Sequence, residues 1–133
     1  MRIAALTLLT AFVMPLLQVQ QKSVWVYAIR AEKVEKSRAG VDPRIAHLKR
    51  ALAALGGEFN RYELINAGTM TATKGEKTAV GVPEVSVAVR CEVENVDENK
   101  VQVRLRMVQI LRKNKEKILL DARYILKAKP LVV

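Results

Sequence analysis

From Val85 to Val93 every second residue is apolar, and the same period returns twice more further along the chain. A repeat of two is the repeat of a β-strand, because successive side chains leave the backbone on opposite faces. Val85, Val87, Val89, Cys91 and Val93 share one face, and Ser86, Ala88, Arg90, Glu92 and Glu94 the other. After a polar turn at Asn95 to Asn99, Val101, Val103, Leu105 and Met107 point inward, with Gln102, Arg104 and Arg106 outward. A second turn, Arg112-Lys113-Asn114-Lys115, leads to an inward row of Ile118, Leu120, Ala122, Tyr124 and Leu126. Turns this short join antiparallel neighbours, so the three strands form a meander. One stretch breaks the alternation: Val108 and Ile110 fall on the outward row and Gln109 on the inward one. A β-bulge or an element covering the strand end accounts for such a switch.

Upstream, Val24 to Ala31 is rich in β-branched and aromatic residues and reads as a strand. Val24, Val26 and Ala28 on one face and Trp25, Tyr27 and Ile29 on the other are all apolar, which predicts a strand covered on both sides. Glu32 to Gly40 extends this strand or forms a loop. Asp42-Pro43 then marks a helix start, an N-cap acceptor followed by a proline whose missing N–H costs nothing there. Ile45, Leu48, Leu52 and Leu55 make an apolar stripe at helical spacing, and Gly56-Gly57 ends it. Phe59 to Ala67, Thr69 to Thr73 and Thr78 to Val82 are further strand candidates, with a turn around Lys74-Gly75-Glu76-Lys77 and Pro83 as a break. The expected fold class is α+β. One amphipathic helix packs on a mainly antiparallel sheet whose C-terminal part is the meander, with a second small sheet from the Phe59–Val82 region.

The first residues read as an address. Met1-Arg2 supplies a basic start, Ile3 to Leu17 an apolar run, and Gln18, Gln20, Gln21 and Lys22 a polar exit, the layout of a secretory signal. No pair of small residues lies between Leu17 and Lys22, which leaves the cleavage point open. Uncleaved, the run sits at the lower limit of about 17 to 25 residues needed to cross a bilayer. Expected domains are therefore a signal peptide over residues 1–21, retained as an anchor in the alternative, and a single α+β domain over residues 22–133.

The whole chain has 133 residues, room for one domain that buries about two thirds of its unfolded surface. Its single cysteine, Cys91, excludes an internal disulfide and every cysteine-rich metal pattern. A formal net charge of +10 makes anionic partners the natural class. Two groups of cations carry this expectation. Arg90, Arg104, Arg106 and Arg123 fall on the outward rows of neighbouring strands, and Arg44, Lys49 and Arg50 lie on the helix beside His47. No aromatic residue interleaves the arginines, which argues against nucleic acid, where stacking platforms normally accompany the charge.

The sequence shows no catalytic set. His47 is the sole histidine and reads as a surface helix residue; Cys91 lies on the inward valine row and reads as an inert buried thiol. Glu92 and Glu94 share a face with Arg90 before them and Arg104 across the hairpin, which reads as a cross-strand ion pair. No histidine or second acidic cluster completes a metal site, and Gly75 and Gly81 do not form a phosphate loop. No cofactor is expected.

With its N-terminal signal, the Val-Asp-Pro-Arg-Ile helix start (Val41 to Ile45), the Leu-rich helix, the aromatic segment with Phe59 and Tyr62, and the meander ending at Ile118 to Leu126, the chain resembles a family of short, function-unassigned envelope proteins of Gram-negative bacteria. The resemblance implies a periplasmic or envelope location and this architecture. It implies a further Gly-rich turn and closing strand after a segment like Lys129 to Val133, and it supplies no activity. The expected function is that of a non-enzymatic binding or scaffold module, engaging another envelope protein or an anionic envelope polymer or lipid. It would touch the membrane itself only through a retained N-terminal segment. The alternative is a small hydrolase or transferase whose residues converge only in three dimensions.

Overall fold

The computed structural model describes residues 12–20, 22–54, 59–127 and 129–133. The basic start and most of the apolar run of the expected signal lie outside these residues, as does Leu55 of the expected helical stripe.

The three alternating segments form the strands their period predicts. They are β6 (Val87–Val96), β7 (Val101–Ile110) and β8 (Glu116–Leu126), antiparallel in sequence order. β5 (Lys77–Val82) joins β6, giving a four-stranded sheet of order β5-β6-β7-β8. A second sheet has the order β3-β4-β2-β1-β9. It contains β1 (Phe12–Gln20), β2 (Ser23–Glu32), β3 (Gly40–Val41), β4 (Arg61–Thr71) and β9 (Leu131–Val132). The chain is thus α+β and mostly β. Two departures from expectation follow. The Phe59–Val82 region does not make a sheet of its own: β4 joins the first sheet and β5 the second. The helix packs on only one of two stacked sheets.

The layers follow from the two-sided apolar character of β2. Val24, Val26 and Ala28 face the meander and pack with Val80, Val89, Cys91, Val103 and Leu105 in the core between the sheets. Tyr27 and Ile29, on the opposite face, pack with Ile45, Leu48, Leu52 and Tyr62 in a second core under the helical segment. Each layer buries one face of its neighbour, so no strand of the first sheet needs a wholly polar side.

The helical segment is shorter and more irregular than its stripe predicts. Pro43–Leu48 is a 3-10 turn and only α1 (Lys49–Ala53) is α-helical, because Ile45 sits at φ −123° and interrupts the helical backbone. Ile45, Leu48 and Leu52 are nevertheless all fully buried, so the stripe does its packing without a continuous helix. Asp42 caps the start as expected, accepting the Arg44 backbone N–H at 3.0 Å.

β1 changes the extent of the folded unit. Phe12–Gln20, placed by the sequence reading inside the address segment, pairs with β2 from Phe12↔Ala31 to Gln20↔Ser23. Met14, Leu16 and Leu17 are buried between the layers. The folded unit therefore begins ahead of the boundary expected at Lys22. Pro15 is tolerated because β9 covers only Leu16 and Leu17 on the far side of β1, leaving a near-edge position; the Pro15 carbonyl accepts the Val133 N–H at 3.0 Å.

The irregularity near Val108 has its cause in the next strand. β6 and β7 stay in register through Ala88↔Val108, whereas β7 and β8 shift from Met107↔Leu120 to Val108↔Ile118. Leu119 is the extra residue of a bulge in β8. Ile118 is thereby turned to the outer face, where it is 60% exposed, and does not join the inward row assigned to it.

Candidate interaction surfaces

The outer face of the β5–β8 sheet carries the arginines singled out from the alternation, because their strand neighbours Val89, Cys91, Val103 and Leu105 point into the core. Register brings Arg90 opposite Arg106, Glu92 opposite Arg104, Arg104 opposite Arg123 and Arg106 opposite Asp121. Acidic side chains on the same face, Asp121 and Glu94 among them, engage several of these arginines. Arg104 donates from Nε and Nη2 to Asp121 at 2.9 and 2.7 Å, Arg123 donates to Glu94 at 2.7 Å, and Arg90 reaches across β7 to Glu116. Those bonds hold the Asp121 and Glu116 carboxyls below the usual carboxylate range. Lys77, Arg90, Arg104, Arg106 and Arg123 stand against Glu92, Glu94, Glu116 and Asp121, which is close to balance. The Arg90–Glu116 pair crosses the face that carries Val108, and Val108 is only 3% exposed although it points outward. A shallow depression of about 360 Å³ lies over this face, lined among others by Lys77, Arg90, Glu92, Arg104 and Arg106.

Arg44, Lys49 and Arg50 are exposed on the helical segment, beyond the other sheet. Both sheets separate them from the arginines above, so the two groups do not form one patch. Arg44 is moreover committed to Asp42, donating from Nη2 at 2.6 Å, and to the Leu64 carbonyl at 3.1 Å. Asp42 also accepts the Leu64 N–H at 3.1 Å, and these bonds with Arg44 press its carboxyl far below the usual range.

The single histidine is exposed, as its helix position predicts, and His47 Nε2 shares a 3.3 Å hydrogen bond with the hydroxyl of buried Tyr27. Tyr27 stacks on Trp25 with ring centroids 5.9 Å apart. Cys91 is 2% exposed and burial pushes its thiol up to about 12, which removes thiolate chemistry at neutral pH. Tens of residues separate His47 from Cys91 in sequence, and the first sheet separates them in space. Among the described residues no group of three or more His, Cys, Asp or Glu side chains is placed to hold a metal. Nor is any helix long and apolar enough to cross a membrane.

Two further surfaces stand out. One is the outer edge of β8, the open sheet edge at which partner binding is expected, eleven residues with no strand beyond them among the described residues. The other edge strand of this sheet, β5, lies against β4: a Cβ on Gly68 would stand 2.8 Å from Thr78 Oγ1, and Asn66 donates to the Gly81 carbonyl at 2.9 Å. The second surface is the tip of the β7–β8 hairpin, where Arg112, Lys113, Lys115 and Lys117 stand beside exposed Ile110, Leu111, Ile118 and Leu119. Its signal in the sequence was four cations within six residues flanked by aliphatic pairs. Comparison of the chain with protein-family models, curated proteins and solved structures finds no match to any of them.

Proposed function

We propose that this protein is a non-enzymatic binding or scaffold module of the bacterial envelope that takes an extended segment of a partner protein onto the outer edge of β8. The open edge carries this reading. Unpaired backbone N–H and C=O groups along a long strand are a template for one more strand, and strand addition is a common mode of peptide recognition. The first sheet instead ends, among the described residues, on two strands of two residues each, β3 and β9. Side chains set the choice of partner. Leu120, Ala122 and Tyr124 ask for apolar residues on the inner side, and Asp121 and Arg123 for opposite charges on the outer one. The paired arginines of the outer face support an edge partner over an anionic polymer, because their charge is already compensated. Export rests on the N-terminal pattern, and the packing of β1 supports a mature domain that keeps Phe12–Gln20.

A pull-down from cell envelopes with the full chain, at about 50 and about 500 mM salt, tests this reading. A specific protein should remain at high salt and be lost from a variant carrying Arg123→Glu and Ile125→Lys, two exposed edge positions. Capture that fades with salt, or that ignores the edge variant, would overturn it.

A further inference from the structure

Seven large apolar side chains are notably exposed among the described residues, and five of them gather at one end of the molecule: Val85, Ile110, Leu111, Ile118 and Leu119, at 44% to 60% exposure. The fold assembles them from three places. β7 ends at Ile110 and runs into Leu111, and the β8 bulge turns Ile118 outward. The Ile110 N–H donates to the Ser86 carbonyl at 2.7 Å, which brings Val85 alongside. Above this collar stands a turn of cations. Arg112, Lys113, Lys115 and Lys117 are all exposed, and none has a carboxylate within ion-pair distance among the described residues. The one acid of the turn, Glu116, is held by Arg90. Arg30, Arg44, Arg90, Arg104 and Arg123 are by contrast all paired. Uncompensated charge and exposed apolar surface therefore coincide at this tip.

The turn is also built at a cost. Lys113 and Asn114 both lie in the left-handed region, at φ 62° and 59°, closed by a 2.7 Å hydrogen bond from the Leu111 N–H to the Lys115 carbonyl. Asparagine accepts that conformation; lysine gains nothing from it, and a glycine would sit there more easily.

From this coincidence we infer that the β7–β8 tip docks on an anionic phospholipid surface, with its cations among the headgroups and Leu111, Ile118 and Leu119 in the headgroup–acyl boundary. Each component suits one part of that target. Lysine and arginine near a bilayer are drawn to anionic lipid, and their aliphatic stems lie along apolar surface while the charge stays in water. The aliphatic collar supplies the shallow burial that charge alone does not. The inference does not rest on the β8 edge reading: Lys117, Ile118 and Leu119 lie at the hairpin end of β8, whereas the partner-strand positions named for the edge are Leu120 to Ile125, and a lipid surface offers no strand.

The full chain is sedimented with vesicles of equal parts phosphatidylglycerol and phosphatidylcholine, and with phosphatidylcholine alone. Binding is expected to the first only. Lys113→Glu with Lys115→Glu should weaken it roughly tenfold or more. Leu111→Asn with Ile118→Asn should remove the fraction that survives about 500 mM salt. A control pair on the far side of the first sheet, Lys49→Glu with Arg50→Glu, should change binding little. Leu111→Trp in a Trp25→Phe background should show a blue-shifted emission on anionic vesicles. Thermal melts identify any variant that fails to fold, and the variants at the six exposed positions, Lys49, Arg50, Leu111, Lys113, Lys115 and Ile118, are expected to melt as the parent does. Equal binding to both vesicles, equal loss in the control pair, or no spectral shift would each overturn the inference. So would binding only to acidic protein.

Discussion

Asp42 shows how much one side chain does at the start of the helical segment. Its carboxylate accepts from the Arg44 backbone, the Arg44 guanidinium and the Leu64 backbone, joining the 3-10 turn to β4. Asp42→Ala removes the cap and the bridge together and should destabilise the fold by about 1–2 kcal/mol, measured by urea denaturation. Because the native carboxyl is held below its ordinary value, its contribution is complete above the unfolded value near ~3.9 and fades as pH falls below it. Asp42→Asn keeps an acceptor but no charge, so its stability should fall less steeply than the parent's below about pH 4. The Asp-Pro signature made the cap legible in sequence. The bond to Leu64 was not, since it depends on which strand lies beside the turn. The arginines show the same limit. Their outward direction followed from the alternation, whereas their compensation by Glu94, Glu116 and Asp121 depends on register across three strands.

At the scale of elements, the meander was readable because a two-residue period admits a single backbone geometry. Where the period was crowded with aliphatic residues on both faces, as in Phe12–Gln20, the pattern of a buried strand coincides with that of an apolar leader, and composition alone does not separate them. The corner between β4 and β5 is where the two sheets meet, and Gly68 makes it possible. A side chain there would stand 2.8 Å from Thr78 Oγ1 and 2.9 Å from Val80 Cγ2. Gly68→Val should cost about 1–3 kcal/mol and lower the melting temperature, whereas Gly81→Val, with nothing near its Cβ position, should cost far less. Equal melting of the two variants would show that the corner opens freely. The sequence reading ends one strand candidate at Ala67 and begins another at Thr69; both belong to β4. Only β5, beyond the following turn, joins the other sheet, a corner that depends on two partners and so left no signal in the pattern.

For the molecule as a whole, the question is what holds the two cores in one unit, and β1 supplies much of the answer. Leu17 faces the core between the sheets, while Met14 and Leu16 face the core under the helical segment. Burying such side chains contributes about 1.5–3 kcal/mol each, and a domain's whole stability is about 5–15 kcal/mol. A chain beginning at Lys22 should therefore lose its cooperative melt by circular dichroism, while one beginning at Phe12 should keep it. A sharp transition in the shorter chain would mean that β2 closes on β9 without β1. Pairing of β1 with β9 also bears on the order of assembly. Leu16 and Leu17 meet Val132 and Leu131 across nearly the whole described sequence, whereas β2 reaches β1 through a tight turn. Closure by β9 is thus the contact of greatest sequence separation in the sheet, and loop entropy makes it the slow step of assembly.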